Sequence, residues 1–224
     1  MRFDVAARRL AVLPAVLPAG PAVLVPVRLT ADGDEVRERI ALADLRERPA
    51  AVLVLVFPGA DGEASVLLTE RVDRGGHHSG EVSFPGGSTE PHDDSPAATA
   101  IREAAEEVGL DGDAVGLAVV GQLESFWIPV SGFRVTPIVA VADRRPTGLR
   151  PAPAEVARIV EAPLSAFLPD APIEIVEREV RGWPLRYGAY RIDGLSVWGA
   201  TARILGQLGA LVSTAQAGSP SAGS

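Results

Sequence analysis

The chain is 224 residues long, with 47% hydrophobic and 22% charged residues and a formal net charge of −8, a balance that fits one packed domain with extra segments and excludes a disordered polymer. No run of basic residues accompanies that acidity, so the electrostatic footprint that holds a nucleic-acid backbone is missing and no nucleic-acid partner is expected. Cysteine is absent and every cationic side chain is an arginine, which excludes disulfides, thiolate catalysis, a P-loop lysine and Schiff-base lysine chemistry, and fits a reducing, cytoplasmic setting.

Residues 10–27 carry no charge over eighteen positions and follow Arg2, Arg8 and Arg9, a profile that on hydropathy alone suits a membrane span. Against it, Pro14, Pro18, Pro21 and Pro26 each remove a backbone donor, and Asp4 sits where a secretion signal would carry its basic leader. The stretch is expected to be an extended arm packed on the domain, with no membrane contact. Residues 1–48 are assigned to this arm, whose role the sequence leaves open.

Next come two β-branched and aliphatic runs, AVLVLVF at 51–57 and SVLLT at 65–69, separated by Asp61-Gly62; they read as buried strands joined in a hairpin. A glycine-rich loop at 71–80 and a short strand at 82–84 lead into Pro85-Gly86-Gly87. Asp94 or Ser95 then caps a helix that carries Pro96 in its first turn and ends at Gly109. Residues 118–123 and 133–141 read as strands with a loop at 127–132 between them. A Pro/Arg loop follows at 144–153, then a partly helical segment at 155–168, an alternating strand at 173–180 and a closing helix at 196–211. Residues 213–224 (STAQAGSPSAGS) have little to bury and are expected to be a disordered tail. The domain proper is thus assigned to 49–212, and the mixed order of elements predicts an α/β sandwich with a mixed sheet.

On a helical wheel the segment 95–108 divides into two faces. Ala97, Ala98, Ile101, Ala104, Ala105 and Val108 fall on the core side, while Thr99, Arg102, Glu103, Glu106 and Glu107 fall on the other. Glu103, Glu106 and Glu107 crowd one patch at i, i+3 and i+4, where like charges cost roughly 0.2–0.5 kcal/mol per pair. Glu106 and Glu107 also lie in the last turn, where the helix dipole disfavours anions by roughly 0.3–1 kcal/mol each. Taken alone, such a face is most often a solvated surface. A hard divalent cation bound by carboxylate oxygens would turn the repulsion into a ligand set.

The surrounding order, FPGGSTEPHDDSPAATAIREAAEEVGL, decides for the second reading. Residues 86–110 resemble the Nudix box, G-x5-E-x7-R-E-U-x-E-E-x-G-U, with Arg102-Glu103 and Glu106-Glu107-x-Gly109-Leu110 matching its second half. Eight positions before Arg102, with seven residues between, stands Asp94 in place of the usual glutamate, the interval from Gly87 is one residue longer, and Ala104 replaces a bulky aliphatic. That longer interval resembles the coenzyme A pyrophosphatase branch, L-L-T-x-R-[SA]-x3-R-x3-G-x3-F-P-G-G. Leu67-Leu68-Thr69, Arg71, Gly80 and Phe84-Pro85-Gly86-Gly87 are in register with it, whereas Val72 replaces the small residue and Gly76 stands where a second arginine belongs.

The resemblance implies a Nudix-type α/β/α sandwich and a hydrolase of a phosphoanhydride in a small nucleoside-diphosphate derivative. Magnesium, with manganese as the alternative, would be held by Glu103, Glu106, Glu107 and Gly86. Glu103 or Glu155 would act as the base, Arg71, Arg74 and Gly87 would contact phosphate, and Arg102 would support the site by pairing with a neighbouring carboxylate. Coenzyme A or acyl-coenzyme A is the leading substrate, ADP-ribose or another nucleoside diphosphate the second, and a non-catalytic ligand-binding module the third reading. A homodimer is compatible with all three. His77, His78 and His92 make no zinc set, because the first two are adjacent and diverge.

Overall fold

The computed structural model describes residues 1–30, 32–36, 47–72, 81–128, 131–180 and 182–214. In chain order these form helix α1 (Phe3–Leu10), strands β1 (Val27–Leu29), β2 (Glu35–Val36), β3 (Arg48–Pro58), β4 (Ala64–Arg71), β5 (Val82–Ser83) and β6 (Gly86–Ser88), and helices α2 (Pro96–Val108) and α3 (Gly112–Val115). Strands β7 (Leu117–Gln122), β8 (Phe126–Ile128), β9 (Phe133–Ala142) and β10 (Val156–Pro163) follow. After a 3-10 turn at Leu164–Phe167 come β11 (Glu174–Val180), β12 (Trp183–Ile192), β13 (Leu195–Val197) and α4 (Gly199–Ser213).

The central sheet runs β10-β4-β3-β9-β7, with β5 on β4, β6 on β3 and β8 on β9. It is mixed: β3 pairs in parallel with β9 from Arg48↔Phe133 to Val56↔Val141, and the other ladders are antiparallel. Strands β3 and β4 do form the expected hairpin, but they pair only at residues 56–58 and 64–66. Beyond that point they part. The freed edge of β3 takes Gly86–Ser88 and the freed edge of β4 takes Val82–Ser83, so the split in the sheet is where the glycine loop is inserted.

Each face of the sheet is covered. On one side Ala51, Leu53, Leu55, Phe57 and Leu67 pack against Ala100, Ala104 and Val108 of α2. On the other, Val54, Val56, Val66 and Leu68 meet Ala202, Leu205, Leu208 and Val212 of α4 together with Ala6, Leu10 and Leu24 from the N-terminal segment. This is an α/β sandwich, held by burial of aliphatic side chains at roughly 1.5–3 kcal/mol each. A second sheet, β11-β12-β1-β2 with β13 on β12, flanks the α4 side.

Several expectations need correction. Of the segment 155–168 expected to be partly helical, only Leu164–Phe167 forms a 3-10 turn, and 156–163 is a strand: Val156, Val160 and Ala162 point inward and the run pairs with β4. Tertiary pairing outweighs the weak helical pattern there. Trp127 and Ile128, expected to begin a loop, belong instead to the strand Phe126–Ile128, which pairs with Val135–Phe133. The N-terminal arm is not simply extended: it opens with a helix whose Ala6 and Leu10 are fully buried, and it lends β1 to β12. Residues 215–224 of the expected tail lie outside the described residues. No helix among the described residues is long and apolar enough to cross a membrane.

Helix α4 approaches the chain so closely at Gly209 that a methyl group there would run into the Phe167 carbonyl. Replacing a mid-helix glycine by alanine ordinarily stabilises by roughly 0.5–1 kcal/mol. Gly209→Ala is expected instead to destabilise by about 1–3 kcal/mol through overpacking, read as a lower midpoint in urea unfolding. An unchanged or raised midpoint would show that α4 and the Phe167 turn are not in contact.

Candidate active site

Helix α2 begins and ends where its sequence says it should. The Ser95 hydroxyl accepts the Ala98 N–H at 3.1 Å, Pro96 stands in the first turn, and Gly109 closes the helix in the left-handed region at φ 67°. Its exposed and buried faces, however, differ from the wheel. Thr99 and Glu107 are buried and Ala105 is exposed. The stripe Thr99, Glu103, Glu107, one turn apart, lies under the loop that runs from Gly86 to Asp93 rather than facing water.

Two glycines make that covering possible. Behind Gly86 the backbone of β3 is so close that a Cβ would overlap Val52, and in front of Gly87 a Cβ would overlap the Glu103 carboxylate. Glycine at both positions lets the loop slip between strand and helix. The Gly86 N–H then donates to Glu107 Oε2 at 3.2 Å. Arg71, the last residue of β4, brings its Nη1 to 3.9 Å from Glu107 Oε1.

Arg102 braces the loop on the helix. Its Nε and Nη2 donate to the two oxygens of Asp93, each at 3.0 Å, and Nη2 also donates to the Ser88 carbonyl at 3.1 Å. Nη1 lies 3.1 Å from both Glu103 and Glu106. Asp93 accepts further from the Thr99 hydroxyl at 2.9 Å and the Glu90 N–H at 2.8 Å. The Arg102 fork, with that backbone N–H next, holds the Asp93 carboxyl well below the usual carboxylate range, and Arg102 is correspondingly harder to deprotonate.

The remaining carboxylates are pushed the other way. Burial is the main cause for Glu107, whose side chain is 5% exposed and whose pKa is raised to about 7. The Gly86 N–H and Arg71 offset part of that shift, while the charges of Glu103 and Glu155 add to it. Glu103 is also raised, first by burial, with Arg102 opposing and Glu106 and Glu155 adding. Glu155 reaches this neighbourhood through backbone links. The Ala152 N–H donates to the Glu107 carbonyl at 2.8 Å, the Glu155 N–H to the Ala152 carbonyl at 2.9 Å, and the Val72 N–H to the Glu155 carbonyl at 2.9 Å. The Pro/Arg loop thus caps the helix end and delivers an acid beside it.

Of the expected site residues, the structure brings together Gly86, Gly87, Arg71, Glu103, Glu107 and Glu155, with Arg102 as the brace. Glu106 stands at the rim, its side chain 61% exposed and drawn to Arg102. Arg74, with Gly76 and both His77 and His78, lies outside the described residues. Asp94 is not the partner of Arg102; Asp93, one residue earlier, is. Two adjacent acids in a loop look alike in sequence, and only the hydrogen bonds from Thr99 and Glu90 single one out. Among the described residues no three acidic or histidine side chains converge into a closed metal cage, since Arg102 stands between Glu103 and Glu106. What the site does present is a buried carboxylate with a raised pKa beside a second, partly buried one, an all-oxygen set suited to a hard divalent ion.

The sequence model of the NUDIX domain matches residues 47–179, which contain every one of these side chains. The chain belongs to the Nudix family. It is similar to Nudix hydrolase 22, chloroplastic, of Arabidopsis thaliana, at 40% identity over 174 residues covering 75% of this chain and 57% of that protein. An uncharacterized Nudix hydrolase, NudL, of Photorhabdus laumondii is 39% identical over 163 residues, covering 72% of this chain and 83% of the relative. Among solved structures, the Nudix hydrolase RenU of M. smegmatis shares 24% identity with a TM-score of 0.45, covering 62% of this chain and 80% of that one. The chain therefore spans a little over half the length of the Arabidopsis relative and most of the bacterial one.

In this Nudix chain the sign of the Glu107 shift sets a pH dependence. Its pKa is raised on folding, so between the ordinary carboxylate range and about 7 the folded state keeps a proton that the unfolded state has lost. Stability of the metal-free protein must then fall as pH rises through that window. In EDTA, the wild type is expected to lose on the order of 2 kcal/mol more than Glu107→Gln between about pH 5 and about pH 8. Parallel pH profiles of melting temperature for the two proteins would contradict the burial of this carboxylate. For the brace, Asp93→Asn is expected to weaken divalent-metal affinity about 10- to 100-fold through the displaced Arg102, with Asp94→Asn near wild type. Equal effects of the two substitutions, measured by manganese titration, would refute the assignment.

Proposed function

We propose that this chain is a divalent-metal-dependent pyrophosphohydrolase that cleaves the diphosphate of coenzyme A or an acyl-coenzyme A into 3′,5′-ADP and a 4′-phosphopantetheine product. The observation that carries the hydrolytic reading is the pair of desolvated carboxylates, Glu103 and Glu107, pressed against the Gly86-Gly87 loop. Left without a cation, this arrangement costs stability at neutral pH. Family membership and the preserved helix glutamates support the same reading.

Glu103 and Glu107 would hold magnesium or manganese, with Glu106 joining from the rim and Gly86 from the loop backbone. When bound, the ion neutralises diphosphate oxygens and lowers the pKa of the attacking water. Arg71, partly exposed beside Glu107, would meet the diphosphate, and the backbone at Gly87, next to the Glu103 carboxylate, would contact a phosphate. Glu155, or Glu103, accepts the proton of the water as oxygen attacks phosphorus. The bridging P–O bond breaks and two phosphomonoesters leave. Arg102 and Asp93 stay out of the chemistry and keep α2 and the loop in register.

The coenzyme A preference rests on the Leu67-Leu68-Thr69-x-Arg71 strand and the long Gly87-to-helix interval. In the fold this strand has a direct use: Thr69 hydrogen-bonds to Ser83 at 3.1 Å, tying β4 to β5 just before the glycine loop, and Arg71 meets Glu107. Gly76 in place of a second arginine favours ADP-ribose or another nucleoside diphosphate as the runner-up.

The test is parallel incubation of the purified chain and magnesium with coenzyme A, ADP-ribose and NADH, followed by product identification. Release of 3′,5′-ADP is the expected result. AMP from ADP-ribose would select the second substrate class, and saturable binding without turnover would select a ligand-binding module. Glu107→Gln is expected to lower kcat by about 100-fold or more, on the scale of losing one preorganised electrostatic group. Undiminished activity in that variant would place the metal elsewhere.

A further inference from the structure

Two arginines serve this site, and they are held very differently. Arg102 is 16% exposed and makes a two-pronged fork to Asp93 with a further bond to the Ser88 carbonyl, all at 3.0–3.1 Å. A guanidinium so bound has no freedom to leave. Arg71 is 38% exposed, and its ion pair with Glu107 Oε1 is 3.9 Å long, beyond hydrogen-bond length. Its backbone is fixed, since the Arg71 N–H donates to the Glu81 carbonyl at 3.0 Å and Arg71 pairs with Val156 across the ladder. The side chain beyond that anchor is long and loosely held.

The two oxygens of Glu107 are likewise unequal. Oε2 receives a backbone N–H from Gly86, which the fold cannot withdraw without opening the loop. Oε1 faces only the loosely held guanidinium among its described partners. We propose that Arg71 is a placeholder counter-charge for Glu107, displaced when a divalent ion is bound and thereby freed to meet the substrate's diphosphate. This rests on the metal-dependent reading above and adds to it an order: the ion and the guanidinium compete for one carboxylate oxygen.

The physical reason is charge. A dication and a guanidinium within a few ångströms of one nearly buried carboxylate repel each other, so binding of the first must drive out the second. A phosphate group then offers the released guanidinium a new partner. By linkage, ion and substrate each favour the other through Arg71, without any larger movement of the fold.

The prediction has an unusual sign. Arg71→Gln should bind manganese alone more tightly than the wild type, by about 3- to 10-fold, because the competitor is gone. Arg71→Lys, which keeps the charge, should stay within about 2-fold of the wild type. The same Arg71→Gln protein should show a KM for its diphosphate substrate raised about 10-fold, with a smaller change in kcat. Free manganese is followed by electron paramagnetic resonance on the full chain without substrate, so the first readout does not depend on activity. A residue with a merely structural role would weaken metal binding or leave it unchanged on substitution, and either result would overturn the placeholder role. If the wild type itself takes up no manganese, the metal-dependent reading falls together with it.

Discussion

The burial of Glu107 organises the site. A carboxylate 5% exposed at the end of a helix stands in an unfavourable field: the helix dipole, Glu103 and Glu155 all oppose its charge. The fold answers with one backbone N–H and one distant arginine, which is too little to keep its pKa in the ordinary range. A position this poorly compensated is a place where stability has been given up for a task. Much of the surrounding architecture follows from keeping it so. Two glycines let the loop close over the carboxylates, the sheet splits to admit that loop, and the Pro/Arg loop seals the helix end while delivering Glu155.

Arg102 and Asp93 supply the counterweight. Their fork, together with Thr99 and Glu90, forms a fully satisfied polar knot at the opposite end of the same stripe. One end of α2 is therefore rigid and neutralised, and the other is strained and acidic. The two arginines divide the labour accordingly: Arg102 fixes geometry, and Arg71 balances charge only as long as nothing stronger is bound.

The N-terminal segment changes what the word arm means here. Residues that read as an arm packed on the domain turn out to place Ala6, Leu10 and Leu24 in the core beneath α4 and to give β1 to the second sheet. Gly20 presses against the backbone of Gly206 and Gln207, and Gln207 donates to the Pro18 carbonyl at 3.3 Å. Pro18 and Pro21 lie against α4 on this path, where their fixed φ and missing N–H disfavour a regular helix.

By itself, the sequence determined what local chemistry can determine: the limits of α2, marked by Asp94 or Ser95, Pro96 and Gly109; the buried strands at 51–57 and 65–69; the acid stripe; and the motif that marks the family. It could not say that 156–163 is a strand, that Asp93 rather than Asp94 holds Arg102, or that Glu107 is buried while Glu106 is at the rim. Each of those is decided by how the chain is arranged in space: the ladder with β4 for the first, the loop hydrogen bonds from Thr99 and Glu90 for the second, the Gly86 loop for the third. Helix caps and alternating strands are short-range preferences written in neighbouring residues. The desolvation of a carboxylate is a property of whatever folds over it, and so belongs to the tertiary structure alone.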